Sequence, residues 1–152
     1  MKITKHPVLP EETISSYTIR FTLPRKDDSS EYFYRTVVLD KTASIDSLTE
    51  SLRDAKKADL RYIGNYTAVQ IIGTYGEKHL CFDCYMHPVG TVYFHQMACN
   101  SRFFQRNMGE FSSETLHAFL KPYLHAFLLE EMEPVRDVYP NTDAIQALPD
   151  SI

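Results

Sequence analysis

YTAVQIIGTYGEKHLCFDCYMHPVGTVYFHQMAC, Tyr66 to Cys99, contains the turns and alternation that decide the fold. Gly76 stands at the first central position of a two-residue loop, where a type II′ hairpin needs φ > 0, so Tyr75 should face Lys78. Pro88 pre-sets a type I turn and Gly90 suits the left-handed bulge position after it, so His87 should face Thr91. The stretch therefore predicts a three-stranded antiparallel meander.

Register follows from composition, because a slip of one residue moves a strand's whole side-chain set to the other face. In this register one face collects Val69, Ile71, Gly73, Leu80, Phe82, Cys84, Met86, Val92, Phe94 and Ala98, an apolar surface that must be buried. The other collects Tyr66, Gln70, Ile72, Thr74, His79, Cys81, Asp83, Tyr85, His87, Tyr93, His95, Met97 and Cys99. Gln70, Asp83 and His95 then share one cross-strand row, and Thr74, His79 and Cys99 another, close enough for side chains to touch. This polar and aromatic face is where a site is expected.

Outward from the meander, Tyr17, Ile19, Phe21 and Leu23 alternate along a half-buried strand that stops at Pro24. A second strand, Tyr32 to Leu39, is rich in aromatic and β-branched residues and should form a hairpin with it across the charged loop 25–30. A first helix is expected from Asp46 to about Ala58, opened by a Ser47/Glu50 capping box. Asn100 to Phe111 reads as a loop carrying Arg102, Phe103, Phe104 and Arg106. The second helix should start at Ser112 or Ser113 and run to about Met132, with Leu116, Phe119, Leu120, Tyr123, Leu124, Phe127 and Leu128 at helical spacing and Pro122 kinking or splitting it. Its apolar stripe is the natural cover for the meander's apolar face.

The expectation is an α+β domain over residues 1–132, an antiparallel sheet of about five strands in ββαβββα order with two amphipathic helices on one face. Residues 133–152 read as an acidic, proline-containing extended tail, ordered only if Val138, Tyr139, Ile145 or Leu148 dock. From Glu130 onward six acids stand against Arg136, so most of the chain's net charge of −4 belongs there. That charge argues against a non-specific nucleic-acid binder. Nothing is long and apolar enough to span a membrane, and the N-terminus lacks a signal-like apolar run, which points to the cytoplasm. Three clustered cysteines do not imply a disulfide framework, and a reducing cytosol is their simplest reading.

Three chemistries are conceivable on the polar face. His79, Cys81, His95 and Cys99 could hold zinc, although Cys81 and Cys84 point to opposite faces and cannot chelate as a knuckle. Cys81, His95 and Asp83 resemble a nucleophile, base and orienter, but no glycine-rich turn or helix N-terminus adjoins either cysteine to activate it. Displayed tyrosines could stack on nucleic-acid bases, yet no basic residues interleave with them. No phosphate loop, paired-carboxylate signature or dinucleotide fingerprint is present.

The reading that remains is a small non-enzymatic binding protein of inhibitor, immunity or adaptor type, needing no cofactor, with another protein as partner and a small ligand as a further possibility. Its binding-face candidates are Tyr66, Gln70, Asp83, Tyr85, Tyr93 and His95, with the loop residues Arg102, Phe104 and Arg106. The alternative is a metal- or thiol-dependent site around Cys81, Asp83, His95 and Cys99, with zinc as its cofactor.

Overall fold

The structure, a computed structural model, describes residues 5–24, 32–61, 63–100, 103–132 and 144–147. These form β1 (Ser16–Pro24), β2 (Tyr32–Leu39), α1 (Thr42–Arg53), β3 (Lys56–Lys57), β4 (Thr67–Tyr75), β5 (Lys78–His87), β6 (Thr91–Asn100), β7 (Phe103–Ser113), α2 (Glu114–Met132) and β8 (Ala144–Ala147). The strands make one antiparallel sheet in the order β3-β7-β6-β5-β4-β1-β2-β8.

The meander forms in the register that its turns and composition require. Tyr75 faces Lys78, His87 faces Thr91, and Gln70, Asp83 and His95 stand in one row. Gly76 and Gly90 take φ of 60° and 97°, the left-handed values the two turns demand of them. The β1–β2 hairpin also forms as expected, with Tyr17 opposite Leu39 and Ile19 opposite Val37. It joins the meander through β1, which lies against β4.

The sheet is larger than the expected five strands. The stretch read as a loop from Asn100 to Phe111 is mostly β7, paired with β6. Its residues do not alternate because two irregularities interrupt the register, between Gln96 and Met97 and between Ala98 and Cys99. Each irregularity shifts the parity of the side chains that follow, so a period-two pattern is lost although the strand exists. Within the expected tail, Ala144–Ala147 pairs with β2, Ile145 lying opposite Val37. Tail residues 133–143 and 148–152 and the charged loop 25–30 lie outside the described residues.

The helices cover one sheet face. The first begins a turn earlier than the capping box implied, at Thr42, because Ile45 extends the buried stripe of Leu48 and Leu52 backwards. Its N-cap is Lys41, without a side-chain cap bond, and Ser47 lies within the helix. Glu50 pairs instead with the exposed Arg53. The helix stops at Arg53 rather than near Ala58, since Lys56 and Lys57 pair with β7. The second helix is capped as expected: the Leu116 amide donates to Ser113 Oγ at 2.9 Å, and that hydroxyl donates to the Ser51 carbonyl at 3.2 Å, joining the two helices' ends. It runs as one segment through Pro122 rather than splitting.

Between helices and sheet lies the core, with Phe21, Phe82, Phe94, Phe111 and Phe127 at 0 % exposure. Phe21 meets Phe127 edge-on, and Phe82 meets Phe94 the same way. Gly73 is required by close approach: a Cβ there would sit 2.9 Å from the buried Tyr17 ring, whose hydroxyl is tied to Thr49 Oγ1 at 2.7 Å.

Candidate functional site

The sheet face away from the helices carries a polar row that crosses six strands. Thr36 opposes Arg20, Arg20 opposes Gln70, Gln70 opposes Asp83, Asp83 opposes His95 and His95 opposes Glu110. Strict alternation in β1, β2, β4, β5 and the first part of β6 places all these side chains on one face. Arg20 donates to Gln70 Oε1 at 2.9 Å and lies over the Tyr34 ring, 4.9 Å from its centroid. One step along, Ala68, Tyr85, Tyr93 and Ser112 form a parallel row.

The chain itself covers part of this face. Because β3 and β4 are separated in the sheet by β7, β6 and β5, the connection from Ala58 to Tyr66 must cross three strands. Nine residues suffice, since four strand spacings amount to roughly 19 Å and extended chain covers about 3.3 Å per residue. The strap is anchored at Glu110, whose carbonyl accepts from the Ala58 amide at 3.0 Å and whose Oε2 accepts from the Leu60 amide at 3.3 Å. Leu60 is buried at 8 % exposure. Within the strap Arg61 grips Asp59 through Nε and Nη2, holding that carboxyl below its usual range. Gly64, at φ 78°, turns the chain toward β4.

Between strap and sheet is a cavity of about 300 Å³ lined by Leu60, Arg61, Ile63, Tyr66, Tyr85 and His95, with the backbone of Gly64. Tyr66 and Tyr85 meet edge-to-face with centroids 4.8 Å apart, and Tyr85 meets His95 the same way at 5.7 Å. The Tyr85 hydroxyl donates a long bond, 3.4 Å, to Asp83 Oδ2. Burial raises the pKa of Asp83, while the neighbouring His95 and the Tyr85 bond pull it down by less. Burial first, and the nearby Asp83 carboxylate second, push the Tyr85 phenol up to about 12. His95 Nδ1 is buried and has no hydrogen-bond partner among the described residues.

Tyr66, Tyr85 and His95 thus come together at the cavity, with Asp83 and Gln70 in the adjoining row. Tyr93, opposite Tyr85 in register, does not line the cavity and meets His87 edge-on at 6.3 Å. Arg106 is exposed on β7 opposite Ala98, remote in register from this cluster, and is part of a strand rather than a loop tip. Arg102 and the side chain of Phe104 lie outside the described residues.

The alternative zinc set of His79, Cys81, His95 and Cys99 is not brought together among the described residues. Cys81 and Cys99 are joined as a disulfide, so the reading of three free cysteines is corrected. The pairing arises because Cys99 is diagonal to Cys81, whose direct opposite is Met97. His79 bonds weakly with Thr74 Oγ1 at 3.5 Å, and His95 stands opposite Asp83 in register. Among the described residues no group of three or more His, Cys, Asp or Glu side chains is arranged to hold a metal ion. Cys84 is fully buried on the helix side, and burial raises its thiol well above the ordinary value, which keeps it protonated.

Arg20, Glu110 and the strap were not among the expected site residues. Arg20 alternates with the buried Ile19 and Phe21, a signal that could have placed it on the polar face. Glu110 was hidden by the register shifts in β7. The crossing of the strap depends on strand order, which local sequence does not encode. No protein-family model, curated protein or solved structure matches the chain, so the fold and this face stand on their own geometry. Among the described residues no helix is long and apolar enough to cross a membrane.

Proposed function

We propose that this chain is a non-enzymatic binding protein of inhibitor, immunity or adaptor type that engages another protein on the strapped sheet face. The observation that carries the reading is the cavity between strap and sheet, where the Tyr66, Tyr85 and His95 rings converge. Tyrosine supplies large, rigid, amphipathic contact area at low entropic cost, and half-buried aromatic clusters of this kind serve as anchors in protein interfaces.

The alternative, a metal- or thiol-dependent site around Cys81, Asp83, His95 and Cys99, needs free thiols. The Cys81–Cys99 disulfide and the buried, protonated Cys84 weigh against it. The same disulfide weighs against a permanently reducing location, although the sequence favours the cytoplasm.

The test is site-specific photo-crosslinking in the native host. A crosslinker at position 66 should capture a discrete partner, and Tyr85→Ala should abolish capture. A crosslinker at exposed Lys121, on the helix side, should capture nothing in common. Equal capture from both positions, insensitive to Tyr85→Ala, would overturn the reading.

A further inference from the structure

We infer that the Cys81–Cys99 disulfide is an exchangeable staple, attacked by small thiols at Cys99, that holds the bulged end of the β6–β7 hairpin onto the sheet. The inference is independent of the proposed binding function. The paired register of β5 and β6 runs from His87 opposite Thr91 to Cys81 opposite Met97 and ends there, although β6 continues to Asn100. Beyond that point β6 is paired, among the described residues, with β7 alone, and both register irregularities of that pairing fall between Gln96 and Cys99. The last residues of β6 and the first of β7 therefore project past the β5 ladder. The covalent link, with Cα atoms 6.1 Å apart, takes the place of the absent backbone pairs.

The two sulfurs differ in access. Cys81 is at 0 % exposure, whereas Cys99 is partly exposed and borders a cavity of about 290 Å³ with Val8, Leu9, Pro10, Tyr75, His79 and Met97. An incoming thiolate can reach Cys99 Sγ and not Cys81 Sγ. Its sulfur bonds to Cys99 as the Cys81–Cys99 bond breaks, and the electron pair leaves on Cys81, which takes up a proton. A second small thiolate then attacks the outer sulfur of the mixed disulfide and releases Cys99 as a thiolate, which is protonated. In sum two small thiols are oxidised to their disulfide and the protein disulfide is reduced. Freed of the link, residues 98–100 and 103–108 lose their attachment to β5, while the centre of the sheet keeps its ladders and core.

The experiment treats the native oxidised chain with reduced glutathione, quenches with acid at intervals, and maps adducts by mass spectrometry alongside amide hydrogen exchange. The first adduct should sit on Cys99, and exchange at 98–100 and 103–108 should rise about tenfold or more with 69–72 unchanged. In single variants, the lone Cys99 of C81S should react with iodoacetamide at least about tenfold faster than the lone Cys81 of C99S. A first adduct on Cys81, equal alkylation rates, no reduction short of denaturation, or exchange rising across the whole sheet would each overturn the inference.

Discussion

The two faces of this sheet are made by the same strands and differ in almost everything else. On the helix side, Phe21, Val69, Ile71, Phe82 and Phe94 are wholly buried beneath α1 and α2. On the other side, the positions between them carry Arg20, Gln70, Asp83, Tyr85 and His95, half-buried, with the strap lying against Tyr85 and His95. One face holds the protein together by removing apolar area from water. The other retains polar groups and rings, Arg20 on Gln70 and Tyr34, Tyr85 against Asp83, Tyr66 and His95, which suits the proposed recognition role.

The contrast is broken most severely from the core side. Phe82→Ala should cost about 3–5 kcal/mol, since it removes a buried ring and leaves a cavity against Phe94. Tyr85→Ala, its neighbour on the other face, should cost clearly less while removing the proposed binding. Urea denaturation compares the two directly, and equal losses would mean that the strapped face is a second core.

Removing the staple comes next. Cys81→Ala with Cys99→Ala opens a link spanning 18 residues of sequence and should cost about 2–4 kcal/mol. The loss should vanish when both proteins are compared fully reduced, which thermal unfolding with and without reductant would read. Gly73→Ala tests a point where the helix-side face has no room to spare. Its new Cβ would meet the Tyr17 ring, held by Thr49, and should cost about 1–3 kcal/mol. A neutral result would show that Tyr17 moves aside.

The smallest expected effect sharpens the comparison through pH. Burial raises the pKa of Asp83, so the folded state binds its proton more tightly than the unfolded chain does. Stability is then lost as pH rises through that raised value. Asp83→Asn should flatten this fall, and near neutral pH should be more stable than the parent by up to about 1 kcal/mol, the half-buried position limiting the gain. Melting temperatures of the two proteins from pH 4, near the ordinary carboxyl range, upward to pH 7 provide the check.

Much of the helix-side face was legible. Tyr17, Ile19, Phe21 and Leu23, and the apolar set of the meander, follow from period-two alternation and from glycines in turns that require them. The row of Gln70, Asp83 and His95 follows from the same register. What was not legible has a physical reason in each case. The bulges in β7 destroy alternation without destroying the strand, so Glu110 was missed. The capping-box pattern at Ser47 and Glu50 was outweighed by Ile45, whose burial favours an earlier start to α1.

The sequence by itself determined an α+β protein with an antiparallel meander, two amphipathic helices on its apolar side and a tyrosine- and histidine-bearing face opposite. These are local properties, set by turn chemistry and by the period of the apolar residues. Only the tertiary structure decided the order of the strands. Order sends residues 58–66 across the polar face to make a cavity and brings Arg20 and Glu110 into line with Asp83 and His95. Each is a relation between distant segments, fixed by how the whole sheet closes over its core rather than by any residue's near neighbours.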